Sequence, residues 1–332
     1  MTATAVPSDL RARLAVSLVF VILGCTQGSW MARIPAIRDQ VGLDTSALPA
    51  LVLGLAVWGL SATFLNTPVN ALAVAVERAH GSPLMSRFHA SFSCGVLAGG
   101  AIGTLAAAGG VPPGVQLAAS STVLGALLLV LGGRLPDEEV AAERHRRSLR
   151  HRFTPQLVLL AGVAFLASFV EGAASQWSSV FTADYLHEGA ALGAATYTCF
   201  TVAILVGRLV GDRFVARWGR RVFVQVSLLT IVLGAGVGLV HPGLPYALAG
   251  FTVVGLGLAC VLPAVFASAG RQPEVPPGEA VSVITIGQWP GFLLAGPVVG
   301  LLAGATSLRL ALASLAVAGL GAAVLTSRIS MA

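Results

Sequence analysis

Gly250-Phe251-Thr252-Val253-Val254-Gly255-Leu256 repeats Gly54-Leu55-Ala56-Val57-Trp58-Gly59-Leu60 at an offset of 196 residues. Leu294-Ala295-Gly296-Pro297-Val298-Val299-Gly300 repeats Leu97-Ala98-Gly99-Gly100-Ala101-Ile102-Gly103 at an offset of 197. Upstream the offset falls: Gln27-Gly28 matches Glu171-Gly172 at 144. The second half therefore carries roughly 52 more residues than the first between matched points. Two membrane-spanning helices with their turn account for that length, since one span takes ~20 residues. Three matches in one order, in an apolar chain, are the mark of a transporter built from two related halves. The first half reads as lacking two helices.

Composition points the same way. Of 332 residues, 56% are hydrophobic and 10% charged, with a mean hydropathy of +0.85. Soluble domains carry about 25% charged residues. Long apolar runs recur throughout, which defines an all-α polytopic membrane protein, because lipid leaves no partner for backbone groups outside helices and closed barrels. A barrel would need short alternating strands. The runs predict ten spans, at about 13–34, 47–75, 86–109, 113–133, 156–183, 190–212, 220–240, 244–269, 280–304 and 307–327. Arg11 and Arg13 precede the first, which is too long for a signal sequence and reads as an uncleaved span. The domain reading is an N-terminal half over 1–134, a cytoplasmic linker over 135–154 and a C-terminal half over 155–332.

Charge sets the expected orientation. All twenty basic residues are arginine. With the N-terminus inside, seventeen fall at inner ends or loops, and only Arg33, Arg38 and Arg309 fall outside. That asymmetry predicts two cytoplasmic termini in the cell (inner) membrane. The net charge of +6 lies at membrane ends, where it meets anionic lipid; it does not call for nucleic acid. Cys25, Cys94, Cys199 and Cys260 all fall inside spans without paired spacing, so neither disulfides, a metal nor a cofactor is expected.

Gly207-Arg208-Leu209-Val210-Gly211-Asp212-Arg213-Phe214-Val215-Ala216-Arg217-Trp218-Gly219-Arg220-Arg221 resembles the G-x-x-x-D-R-x-G-R-[KR] loop of the major facilitator superfamily. Asn66 and Asn70 with Glu77-Arg78, the 83–95 stretch with Phe88 and His89, Glu171-Gly172 with Trp177, Gly255-x-Gly257 with Pro263, and Phe292-Leu293 with Gly296-Pro297 are similar to its bacterial branch near the fucose permease. The resemblance implies two helical halves, here four plus six helices, and transport without enzyme activity. It assigns Gly207, Arg208, Gly211, Asp212, Arg213, Gly219, Arg220 and Arg221 to a cytoplasmic gating loop, with Asp212 accepting from arginines and capping a neighbouring helix. The family normally has twelve spans. Here Ile37-Arg38-Asp39-Gln40-Val41-Gly42-Leu43-Asp44 leads straight into the run that matches helix four.

Candidate cavity residues follow from polar positions in apolar runs. Glu171 is the acid expected deep in a span, where an ionised carboxylate costs at least ~2.5 kcal/mol and needs a cavity, a partner or a proton. Ser168, Ser175 and Ser178 share its helical face. Gln27 is its repeat-related position. Asn66 and Asn70 lie on one face of the second span, for ligand binding or for helix contact. His89, Trp177 and Gln288 complete the set, with Ser282, Thr285 and Trp289 beside Gln288. The fucose permease couples protons through acids on its first and fourth helices; this chain offers Gln27, Asn66 and Asn70 there. The glycines Gly95, Gly99 and Gly103 read as a close helix contact. No HExxH, CxxC, GxSxG or GxxxxGK[ST] pattern occurs, which argues against an enzyme and against an ATP-driven pump. The function read is secondary or facilitative transport of a small polar solute, sugars included, with or without protons. The alternative is a truncated, transport-incompetent relative or a membrane-embedded sensor.

Overall fold

The computed structural model describes residues 10–33, 37, 48–132, 152–329 and 331, with backbone alone over 48–63. Among these residues every regular element is helical: α1 (Leu10–Met31), α2 (Leu48–His80), α3 (Met85–Ala108), α4 (Pro113–Gly132), α5 (Pro155–Val180), α6 (Ala190–Trp218), α7 (Arg220–Val240), α8 (Leu244–Leu258), α9 (Val261–Ala269), α10 (Pro277–Ala305), α11 (Leu308–Leu312) and α12 (Ser314–Ser327). A single π turn, Phe181–Tyr185, extends α5. Among the described residues nine helical stretches are long and apolar enough to cross a membrane. At 33 residues, α2 has the length for a tenth. The expected spans match closely, and 220–240 coincides with α7. The expected run 244–269 is broken into α8 and α9 at Ala259-Cys260.

The chain forms two compact units, one of residues 1–81 and 87–143, the other of 82–86 and 144–332. Four long helices, α1 to α4, belong to the first apart from the opening residues of α3; α5 to α12 belong to the second. Of the linker expected over 135–154, only 152–154 fall within the described residues. The junction expected over 38–44 falls outside them.

Lipid gives helices no hydrophobic reward for touching one another, so contact rests on close van der Waals packing. In the first unit α1 and α3 meet backbone to backbone. A Cβ added at Gly28 would stand 2.8 Å from the Val96 carbonyl carbon, and one at Gly99 would stand 2.7 Å from that of Cys25. Phe20 stacks on Phe88 with ring centroids 6.0 Å apart, tightening the same crossing. The second unit repeats the device. Gly172 of α5 lies against Phe292 and Ala295 of α10, and Gly287 and Gly291 lie against Ala161 and Phe165. Gly28 and Gly172 are the pair matched by the 144-residue offset, so the repeat read in sequence is a repeated helix crossing.

The missing helices leave a trace. In the second unit α7 packs against both α8 and α12. Gly250 and Gly257 bring α8 onto its backbone, and Gly319 of α12 sits on Ile231 and Val232. The repeat makes α2 the counterpart of α8, with no counterpart of α7 among the described residues of the first unit. Correspondingly, the membrane window of α4 is only 6% buried, against 33% for the Leu308–Ser327 stretch.

Of the three arginines on the minority side of the charge count, Arg309 is a helix cap and Arg33 bridges a helix to the turn that follows it. Arg33 is 2% exposed and donates to the carbonyls of Gly103 (3.4 Å) and Val111, near the end of α3. Arg309 donates to Leu239 O (2.7 Å) and Val240 O (2.8 Å), the last carbonyls of α7. Helix C-termini leave carbonyls without internal partners and carry partial negative charge. The Arg309 guanidinium answers that need, whereas Arg33 ties α3 to the turn before α4. Arg38 lies outside the described residues.

Candidate functional site

The motif expected as a cytoplasmic loop is mostly helix. Gly207, Arg208, Gly211, Asp212 and Arg213 all lie within α6, and Arg220 and Arg221 open α7. Gly219 alone stands between the helices, at φ 77°, a left-handed conformation that suits glycine. The correction has a simple cause: nothing from 207 to 218 breaks a helix, and Gly219 is the first residue that does. Asp212 Oδ1 accepts the backbone N–H of Ser86 at 3.1 Å, an orphan donor in the first turn of α3. Arg220 is buried at 7% exposure, whereas Arg221 reaches Ser327 O at the end of α12.

Arg208 departs furthest from expectation. It lies ten residues before the end of α6, about 15 Å along the axis at ~1.5 Å per residue, and is 6% exposed. Gly207 and Gly211 allow this depth by letting α6 press on the break between α8 and α9. A Cβ on Gly207 would stand 2.5 Å from that of Ala259, and one on Gly211 would strike the Cys260 sulfur. Pro263 in turn explains the break. Proline has no N–H for the carbonyl four residues back, so Ala259 O is left without its helical donor. Arg208 Nε supplies one at 3.1 Å.

The same guanidinium faces Glu171 of α5, with Nη2 3.8 Å from Oε1. Charge-assisted hydrogen bonds run ~2.7–2.9 Å, so this is a loose ion pair. The Glu171 side chain keeps 24% of its surface exposed. Of the serines on its face, Ser168 and Ser178 are fully buried against neighbouring helices, and Ser175 is half-buried.

In the first unit the structure brings Asn66, Asn70 and His89 together. Asn70 Nδ2 donates to Asn66 O (2.9 Å) and to Asn66 Oδ1 (2.5 Å). A backbone carbonyl only accepts, which fixes the orientation of the Asn70 amide. Its Oδ1 therefore faces His89 Nε2 at 3.2 Å, and that nitrogen carries the proton. The Phe20 ring covers the imidazole at 5.4 Å. The chain runs from half-buried Asn66 to Asn70 at 2% and His89 at 8% exposure, and so joins α2 to α3. Gln27 is half-buried on α1 beside the Gly28 crossing.

Trp177 packs over Gly300, and its indole N–H is buried without a hydrogen-bond partner. Gln288 Oε1 and the Trp289 N–H are likewise buried and unpartnered. Ser282 and Thr285 satisfy themselves on Gly278 O and Val281 O, one turn back.

Sequence reasoning missed three polar features. The Glu171–Arg208 pair was hidden because Arg208 sits in a motif assigned to a loop; Pro263, four residues after Ala259, was the available signal for a freed carbonyl. Buried Glu77, 2% exposed near the end of α2, entered only as part of a segment similar to the family. The third is buried Gln116, which donates to Ser29 Oγ (2.6 Å) and Ser120 Oγ (2.9 Å).

A helical membrane chain with paired units, a repeated helix crossing and this arginine-glycine motif defines a transporter fold, and comparison with known proteins agrees. The sequence profile of the Major Facilitator Superfamily matches residues 9–286, and the chain belongs to that family of membrane transporters. It is thus a multi-pass membrane protein of a family that carries small solutes. It is 30% identical over 291 residues to an uncharacterized transporter, y4wD, of Sinorhizobium fredii, covering 87% of this chain and 77% of the relative. It is 26% identical to an uncharacterized MFS-type transporter of Yersinia pestis, covering 92% and 93%. That alignment runs over 364 positions yet uses 92% of 332 residues, so roughly 60 positions hold a residue only in the relative. The shortfall is close in size to the two helices the repeat offsets find missing. The fold is similar to that of the E. coli fucose:proton symporter FucP, with a TM-score of 0.62 at 14% identity, covering 97% of this chain and 84% of that one.

Proposed function

We propose that the chain is a secondary transporter of a small polar solute, working by alternating access between an N-terminal half (1–134) and a C-terminal half (155–332). The observation that carries this reading is Glu171: an acid inside a membrane helix, loosely paired with Arg208 and partly exposed, in a member of a transporter family. Intramembrane acids are costly and mark solute or proton paths. The Asn66–Asn70–His89 chain, with Gln27, is the candidate contribution of the first half. The motif around Asp212 acts as a latch that opens and closes with the cycle. Sugars enter as candidates through the likeness to FucP, and so does coupling to protons.

The test is uptake by purified protein in liposomes, with an inward proton gradient and a panel of labelled hexoses, polyols and amino sugars. Accumulation that a protonophore collapses supports proton-coupled transport. If the chain moves no solute while y4wD, assayed beside it, moves one, the transport-incompetent alternative holds instead.

Orientation is proposed with the same reading. The arginine asymmetry places both termini in the cytoplasm of a bacterial inner membrane, with the linker 135–154 on the same side. Reporter fusions at Gly81, Arg146 and Gly219 should read cytoplasmic. Fusions at Gly110, His187 and Gly243 should read periplasmic. A periplasmic signal at Arg146 would overturn the scheme.

A further inference from the structure

We infer that Glu171 and the Ala259 carbonyl form a cation seat, filled in this conformation by the chain's own Arg208, and that the transported solute brings an ammonium or guanidinium group to the same seat. The inference rests on the proposed transport function and deepens it by naming a substrate class.

The seat joins an oxygen acceptor on a helix to one at a helix break. One is a carboxylate on α5. The other is a backbone carbonyl whose helical donor Pro263 removes. Broken membrane helices expose carbonyls that bind cations in transporters of other folds. Here the bound cation is tethered: Nε donates to Ala259 O at 3.1 Å, and Nη2 stands 3.8 Å from Glu171 Oε1. A carboxylate and a backbone carbonyl each accept directionally from an N–H cation such as this guanidinium.

The two contacts differ in tightness. The carbonyl bond has ordinary length, while the ion pair is about 1 Å longer than a charge-assisted bond. Arg208 is thus anchored at the carbonyl and held back from the carboxylate, which keeps 24% of its surface exposed. The loose ion pair is the contact Arg208 yields most readily when a solute cation takes its place. A neutral sugar has only hydroxyl donors to offer there, and a solute without a donor gains nothing from the carboxylate. An amino sugar, or a small amine bearing hydroxyls, satisfies the carboxylate and still suits the amide chemistry of a polar cavity.

The experiment is chemical rescue in full-length purified protein. Arg208→Ala empties the seat, and its melting temperature should fall. Methylguanidinium should then raise it saturably in Arg208→Ala, leave the unsubstituted protein unmoved, and lose its effect in the Arg208→Ala/Glu171→Gln double variant. Tetramethylammonium, a cation without N–H groups, is the control. Equal effects of the two cations on Arg208→Ala would overturn the seat. Should Arg208→Ala fail to fold, Arg208→Gln keeps the bulk and a donor for Ala259, and methylammonium is the smaller probe, read the same way. In liposomes, glucosamine uptake should exceed glucose uptake by about tenfold or more, each tenfold reflecting about 1.4 kcal/mol of discrimination. Glucose carried as well as glucosamine would overturn the substrate class. Failed rescue with intact, Glu171-dependent uptake removes the seat and leaves the proposed function standing. Successful rescue with uptake indifferent to Glu171 makes the seat structural and removes Glu171 from the transport path.

Discussion

Glu171→Gln is expected to abolish gradient-driven accumulation while leaving insertion and expression near those of the unsubstituted protein. Glutamine keeps the size and hydrogen-bonding oxygen of the side chain but can neither carry a negative charge nor take up a proton. Among the described residues the carboxylate makes no tight bond that the substitution would break: its charged neighbour stands 3.8 Å away. Folding should tolerate the change, since the glutamine oxygen can still accept from Arg208, which keeps its bond to Ala259 O. The transport cycle should not tolerate it, since the charge is the property that makes an intramembrane acid worth its insertion cost of at least ~2.5 kcal/mol. The measurement is accumulation against exchange in liposomes. Unchanged accumulation in Glu171→Gln would reduce Glu171 to a packing residue.

Gly99→Leu should have the largest effect on folding. The α1–α3 crossing has no room for a side chain, because a Cβ at Gly99 would stand 2.7 Å from the Cys25 carbonyl carbon. Backbone cannot rotate aside as a side chain can, so the whole helix must move. Overpacking costs ~1–3 kcal/mol where side chains yield, and more is expected where backbone does not. Displacing α1 would also pull Phe20 from Phe88 and His89, which lie on the same crossing. Gly100→Leu is the matched control: it is one residue on, with nothing within 4 Å of an added Cβ. Thermal melting in detergent should show Gly99→Leu lost or strongly lowered and Gly100→Leu close to the parent. Equal losses would mean that leucine at this depth, rather than the crossing, is what the chain rejects.

Polar residues separated the legible from the hidden. Asn66, Asn70 and His89 were found as individual positions, from helical spacing and burial cost. That they form one bonded chain depends on how α2 is turned toward α3, which no spacing within a helix encodes. Ser168 and Ser178 show the converse. They share a face with Glu171 as spacing requires, yet that face is divided between exposure and packing by neighbouring helices. Gln288 and Trp177 were picked as ligand-binding types, and the structure leaves each with a buried, unpartnered polar atom.

The apolar runs determined the helices, their number and their lengths, because a lipid core imposes one solution on the backbone and one minimum length on each crossing. The repeat offsets determined the four-plus-six division, because each half keeps the same glycine-mediated crossing wherever its helices remain. Tertiary structure decided the rest. Arg208 belongs by sequence to a surface motif; the close approach at Gly207 and Gly211 carries it inward to a carbonyl freed by Pro263, 55 residues further on. Arg33 and Arg309 bond carbonyls of a turn and of a helix end that become their neighbours only on folding. Each of these outcomes seats an arginine on a backbone carbonyl. Local sequence marks where such a carbonyl arises, but only the packing of distant helices determines which side chain comes near enough to bond it.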